Sequence, residues 1–348
     1  MEMEKNMEKK PIAKMTVFFV ITTILAAACS VALVIKNNNI TKEMNAQEQN
    51  NEKTVEALQR EIEDSDGIKD RIKESLEQGE TPLNMLRNIY SDDVVYNYNG
   101  KYYFVPIIDN IPKSKLNPGD FKFNDAGELE YLKNGKAVSH KGIDVSKYQG
   151  NIDWEAVAED GVEFAIIRLG YRGYGTGAIQ LDESFETNME GALKAGIDVG
   201  VYFFSQAISE KEAEEEANFV IEHIKPYKIT CPVVFDTEEV SGEEGRMKEI
   251  SSDKLTDISI KFLDTVEEEG YTPMIYANLK WFIANLDIER LADYEKWFAS
   301  YTTPYYFPYE ISMWQYTDQG KVNGIEGSVD MNISFKEWGK KESSKTNI

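Results

Sequence analysis

The chain has 348 residues, the length of roughly two domains, with 42% hydrophobic and 28% charged residues, which excludes wholesale disorder. Its 38 Lys and Arg against 61 Asp and Glu leave a net charge of −23, which argues against a nucleic-acid partner. Two cysteines, Cys29 and Cys231, and two histidines, His140 and His223, exclude a disulfide framework and a Cys- or His-built zinc site, so no cofactor is expected and carboxylates are left to carry the chemistry.

Residues 15–35 contain neither charge nor proline. A helix of that length spans about 30 Å, a bilayer core. Lys5, Lys9, Lys10 and Lys14 precede it, which favours a cytoplasmic N-terminus over residues 1–14 and an outward-facing remainder. The expectation is a single-pass protein of the cell membrane, with the rest of the chain outside. A cleaved signal peptide and a lipoprotein acylated at Cys29 are the rivals; the apolar run continues through Ile35, past the usual end of either.

Residues 36–80 are polar, with Val55, Leu58 and Ile62 and then Ile68, Ile72 and Leu76 at helical spacing. They predict a helical stalk broken at Asp66-Gly67. Residues 81–140 predict a small β-rich module, with hairpins turning at Asn99-Gly100 and Asn134-Gly135.

From 141 to 338 short apolar strands alternate with amphipathic helices, and 339–348 read as a flexible tail. Strands are predicted at 142–146, 164–169, 197–204, 232–236, 272–276, 296–299, 311–316 and 328–331. Helices are predicted at 154–159, 185–195, 210–224 and 254–268. The third has Ser209 and Glu212 at capping-box spacing, and the fourth stops before Gly270. Such alternation implies parallel strands with helical crossovers, an α/β fold closed as a TIM-like barrel. The last three strands leave little room for helices between them.

Chemistry in such a barrel sits at the C-terminal mouths of the strands. Asp144 lies in the first strand, Asp236 and Glu238 close the fourth, and Asp330 lies in the eighth. An ionised carboxylate in an apolar strand is costly unless it is paired or has a function. Residues i and i+2 of a strand face one side, so Asp236 and Glu238 are expected together on the barrel axis. Two such neighbours push one pKa upward and yield a donor beside an anion, the pair that glycosidic cleavage needs. Strand-end capping and a Ca²⁺ or Mg²⁺ site are the competing uses of the four acids.

Tyr202, Tyr276 and Trp314 end strands and are expected to line the cleft, where aromatic faces match the C–H faces of sugars. Arg168 lies in the apolar run Ala165-Ile-Ile-Arg-Leu-Gly and needs a carboxylate, either one of the four acids or a structural partner. The glycine-rich run Gly170–Gly177 fits a mobile cleft loop.

Several runs resemble glycoside hydrolase family 25, the Chalaropsis-type lysozymes. They are Gly142-Ile-Asp-Val-Ser-Lys-Tyr-Gln-Gly-Asn-Ile-Asp-Trp, Phe164-Ala-Ile-Ile-Arg-Leu-Gly-Tyr, Ala195-Gly-Ile-Asp-Val-Gly-Val-Tyr-Phe-Phe, Val234-Phe-Asp-Thr-Glu, Met313-Trp-Gln-Tyr and Val329-Asp-Met-Asn. The resemblance covers about 142–338 and implies a (β/α)5β3 barrel. It also implies an N-acetylmuramidase acting on the β-1,4 bond between N-acetylmuramic acid and N-acetylglucosamine in peptidoglycan. It further implies Glu238 as general acid, Asp236 as its partner carboxylate, and Asp144 and Asp330 completing the acidic cleft. Because wall polymers are polyanionic, charge would not hold this acidic chain there, and a membrane anchor would take that role. A catalytically weak wall-glycan-binding or scaffold protein and a chitinase-like enzyme are the alternatives.

Overall fold

A computed structural model describes residues 67–240, 245–302 and 304–339. They fall into two compact units that divide between Ile107 and Ile108.

In the first unit, helices α1 (Ile68–Glu77) and α2 (Pro82–Ile89) are followed by the antiparallel pair β1 (Asp93–Tyr98) and β2 (Lys101–Pro106). Thr81 caps α2 and Pro82 opens it, the position where a missing N–H costs nothing. The hairpin turns on Asn99 and Gly100, both at positive φ (50° and 74°), as a two-residue turn of this hand requires. Met85, Leu86, Val95 and Tyr102 form its core, with Ile72, Leu83, Tyr90 and Phe104 packed on them.

The second unit is a closed barrel with an added β-meander. Strands β3 (Phe121–Phe123), β4 (Leu129–Lys133) and β5 (Lys136–Ala137) form the meander. Asn134 and Gly135 turn its second hairpin, again at positive φ. The barrel strands are β6 (His140–Val145), β7 (Phe164–Arg172), β9 (Asp198–Phe204), β10 (Val233–Asp236), β11 (Pro273–Asn278), β12 (Glu295–Ala299), β13 (Met313–Gly320) and β14 (Val329–Ser334). A short strand, β8 (Ile179–Leu181), folds back antiparallel on β7. Pairing runs from β6 through β13 in parallel, and β14 closes the circle antiparallel to both β13 and β6.

Helices α3 (Trp154–Glu159), α4 (Phe185–Ala195), α5 (Glu210–Ile224) and α6 (Ser252–Glu268) make the crossovers, and a π-helical turn (Trp281–Asn285) replaces a fifth. β12 to β14 follow without helices, which is the helix-poor end predicted. Ser209 caps α5 by accepting from the Glu212 amide, and Ser251 does the same for α6. Inward residues Phe164, Ile166, Cys231, Val234, Met274, Trp297 and Met313 fill the barrel. Gly142 is forced there: a Cβ would meet the Phe164 ring at 2.1 Å.

Two expectations are corrected. A helical stalk over 36–80 leading to one β-rich module over 81–140 is not what forms. α1 and α2 bury their apolar faces in the same core as β1 and β2, and the rest of the expected module belongs to the barrel's unit. Phe121 of β3 packs at 5.1 Å on Trp314 and at 5.3 Å on Tyr305, and Tyr131 of β4 packs at 5.8 Å on Phe335. The stalk's first half, 36–66, lies outside the described residues, as does nearly all of the expected tail.

The single-pass membrane anchor is the second. The longest described helix, α6, has 17 residues and carries charges along its length, whereas a span needs about 20 mostly apolar residues. No helix among the described residues is long and apolar enough to cross a membrane, and residues 15–35 lie outside them. The functional reading therefore contains neither a membrane partner nor a single-pass location in the cell membrane.

Candidate active site

Strand polarity brings the four acids to one mouth. Asp236 is the last residue of β10 and Asp144 the fifth of six in β6, both at C-terminal ends. Asp330 is the second residue of β14. Because β14 runs antiparallel, its beginning lies at the mouth where the other strands end, and Asp330 pairs in register with Asp144. Glu238 stands two residues beyond the end of β10. Asp144, Tyr202, Asp236, Glu238, Tyr276, Trp297, Gln315 and Asp330 line one cleft.

Asp144 and Asp236 are buried, and Glu238 and Asp330 half-buried. Burial raises all four carboxyl pKa values. For Asp236 the rise is large, and the neighbouring Glu238 and Asp144 add to it while Arg168 opposes it. For Glu238, Asp144 adds to the effect of burial. Asp330 is pushed up to about 8 by burial, by the charge of Asp144 and by their mutual hydrogen bond. At Asp144 side-chain hydrogen bonds from Asn332, Gln315 and Asp330 counter the effect of burial. The Asp236 Oδ1 atom is buried without a hydrogen-bond partner. A site with raised carboxyls, one half-exposed and one with an unused acceptor, can donate a proton and receive an N–H.

Tyr202 and Tyr276 line the cleft. Trp314 does not: it is fully buried, donates its indole N–H to the Ser300 carbonyl, and packs on Phe121 and Tyr305. Its neighbour Gln315 faces the cleft instead, since adjacent strand residues point to opposite sides. Arg168 pairs at 2.6 Å with Asp182, not with any of the four acids. Its guanidinium lies 4.9 Å from the centre of the Tyr148 ring. The run 170–177 is not a free loop; it joins β7 to β8 as a hairpin tied down by Arg172, which donates to the Gly177 carbonyl at 2.8 Å. Among the described residues no group of three or more His, Cys, Asp and Glu is arranged to hold a metal ion.

Sequence reasoning missed Trp297, Gln315 and Asn332. Gln315 and Asn332 each donate at 2.8 Å to the same oxygen, Oδ2 of Asp144. Tyr276 and Tyr301 donate to Gln315 Oε1 at 2.8 and 2.9 Å. Trp297 donates to Asn332 Oδ1 at 2.8 Å. The available signal was a polar residue at an inward position of an apolar strand, which always needs partners.

The sequence profile of the glycosyl hydrolases family 25 matches residues 143–325, more than half of the chain. The chain belongs to this family. It is similar to the autolytic lysozyme of Clostridium acetobutylicum, 28% identical over 193 residues, which cover 55% of this chain and 54% of that protein. It is similar also to Lysozyme M1 of Streptomyces globisporus, 27% identical over 207 residues, 55% of this chain and 66% of that protein. Among solved structures, the modular autolysin LytC from Streptococcus pneumoniae superposes with a TM-score of 0.52 at 25% identity, covering 70% of this chain and 58% of that chain. The chain thus spans little more than half of the autolytic lysozyme and of the autolysin. The family match falls on the barrel that carries the four acids.

Proposed function

We propose that the protein is a peptidoglycan hydrolase that cleaves the β-1,4 bond between N-acetylmuramic acid and N-acetylglucosamine. The observation that carries this reading is the pairing of Glu238 with Asp236 at the barrel mouth. One is a half-buried carboxyl with a raised pKa, and the other a buried carboxyl with an unpartnered oxygen. The names of the two lysozymes and the autolysin support the choice of polymer.

Glu238 is the general acid. It gives its proton to the glycosidic oxygen as the bond to the anomeric carbon breaks. The carbonyl oxygen of the substrate's own 2-acetamido group attacks that carbon, and positive charge develops at the acetamido nitrogen. Asp236 accepts the acetamido N–H and balances the charge. Its raised pKa gives this interaction its selectivity, because the anion is disfavoured alone and is relieved only as the charge appears. Water then opens the ring, with Glu238 taking back a proton. Asp144 and Asp330 set the field and meet sugar hydroxyls. Tyr202 and Tyr276 offer faces to the sugar, while Arg168, through Asp182, holds the wall of the cleft.

Purified protein should release reducing ends from peptidoglycan and none from chitin oligomers. Turnover of chitin oligomers with peptidoglycan left intact would overturn the reading. For the mechanism, N-deacetylated peptidoglycan should bind without being cut. A covalent adduct on Asp236 trapped with a fluorinated sugar would make it a nucleophile instead.

A further inference from the structure

The network behind the cleft biases which of two hydrogen-bonded carboxyls carries the proton. Trp297 is buried, and its indole nitrogen can only donate. Its partner atom on Asn332 must therefore be the amide oxygen, so the Asn332 NH₂ is the group that faces Asp144 Oδ2. The hydroxyl oxygen of a neutral carboxyl is a poor acceptor, so the oxygen that receives that N–H is the unprotonated one. Gln315, 2.8 Å from the same oxygen, must then also present its NH₂, and its own oxygen is left for the hydroxyls of Tyr276 and Tyr301. Two amide donors on one oxygen stabilise the anion of Asp144.

Asp144 and Asp330 face each other in register and are hydrogen-bonded through their side chains. That bond needs one proton. Asp330 is half-buried and also faces the charges of Asp318 and Glu238, which disfavour its ionisation. We infer that Gln315 and Asn332 are positioning residues that hold Asp144 as the anion of the pair and leave the shared proton on Asp330. The consequence reaches the general acid, since the charge on Asp144 is what raises Glu238 beyond the effect of burial. Trp297, Asn332 and Asp144 thus form a relay that keeps Glu238 protonated. The relay's use in glycan cleavage rests on the function proposed above; the location of the proton does not. The other titratable groups facing the pair are Asp236 on β10, Tyr202 on β9, Tyr276 on β11 and Tyr301 after β12, with Arg168 on β7 acting on Asp236 and Tyr202 behind them.

Two variants read this out through the pH profile of kcat/KM on peptidoglycan. Asp144→Asn removes the anion, so turnover should fall about 100-fold or more and the alkaline limb should move to lower pH. Asp330→Asn keeps a neutral donor opposite Asp144, so turnover should fall less than in Asp144→Asn and the alkaline limb should hold or move higher. Asn332→Asp, which replaces the donor with an acceptor, should behave like Asp144→Asn. The reverse order, or equal losses in the two aspartate variants, would overturn the assignment. A second readout needs neither folding of variants nor activity: sequentially assigned ¹³C shifts of the side-chain carboxyls in the wild-type protein. At pH 7 Asp144 should show a carboxylate shift and Asp330 a carboxylic-acid shift; the opposite would refute the inference. A protein that passes this test yet cuts no peptidoglycan refutes the proposed function alone.

Discussion

Two buried clusters in the same barrel treat carboxylates in opposite ways. Beneath α5, Arg172 and Glu216 are nearly inaccessible, 4% and 0% exposed, and meet at 2.6 Å. Ser205 donates to the second oxygen of Glu216 at 2.7 Å. Arg172 spends its other donors on the Gly177 and Glu212 carbonyls, and Arg246 clamps Glu212 at 2.8 Å. Each acid there has a guanidinium. At the mouth, four carboxyls share one cleft with amides and hydroxyls as their neighbours, and the one guanidinium that acts on Asp236, Arg168, is bound to Asp182. Burial raises Glu216 too, to about 7, against the pull of Ser205 and Arg172; the difference is that both its oxygens are occupied, whereas Asp236 Oδ1 at the mouth has no partner. Burial is common to both, so what separates a structural acid from a chemical one is whether its oxygens are already taken by built-in donors or left for a substrate.

The comparison can be broken most directly at Glu238. Glu238→Gln keeps shape and removes the acidic proton, so turnover of peptidoglycan should fall about 10²–10⁴-fold with an unchanged melting temperature. Near-normal turnover would place the acid elsewhere. On the structural side the signs exchange. Arg172→Met leaves Glu216 buried without its cation and should cost about 3–5 kcal/mol of stability in denaturant titration. Activity per folded molecule should stay near wild type; a variant as stable as the parent would mean the pair is not what holds this region. At Asp236, Asp236→Asn loses the negative charge that balances the acetamido nitrogen and should lower kcat by roughly 10²-fold, with KM little changed.

How much of this was legible in the sequence follows from strand physics. All eight barrel strands and the four crossover helices stood out, because runs such as Phe164-Ala-Ile-Ile and Val233-Val-Phe are β-rich and bounded by breakers. The four acids stood out as charges in those runs. The facing of residues did not. Both sides of a barrel strand are covered, so Met313-Trp-Gln-Tyr carries no alternation of polarity to show that Trp314 points outward and Gln315 inward. Nor does an Asn-Gly turn say which core its hairpin joins: Asn99-Gly100 serves Met85 and Leu86, while the meander turning at Asn134-Gly135 leads from Phe121, which packs on Trp314.

The smallest effect sharpens the comparison through stability. The folded-state pKa of Asp330, about 8, lies above that of an unfolded aspartate, near 3.9. The folded state therefore binds the proton more tightly. The stability this provides is complete below pH ~4 and is lost as pH rises toward 8. Asp330→Asn removes that dependence and should gain stability relative to wild type between pH 5 and 8, by about 2–4 °C in melting temperature per kcal/mol relieved. Thermal melts across that range should show the two curves diverging; parallel curves would mean the cleft stores no such cost.

The central claim is tested most directly by the chemistry of the new chain end. Purified peptidoglycan treated with the purified protein, reduced with borohydride and analysed by mass spectrometry, should yield fragments ending in reduced N-acetylmuramic acid, and Glu238→Gln should yield none. Fragments ending in reduced N-acetylglucosamine would show that the other glycosidic bond is cut and would contradict the account.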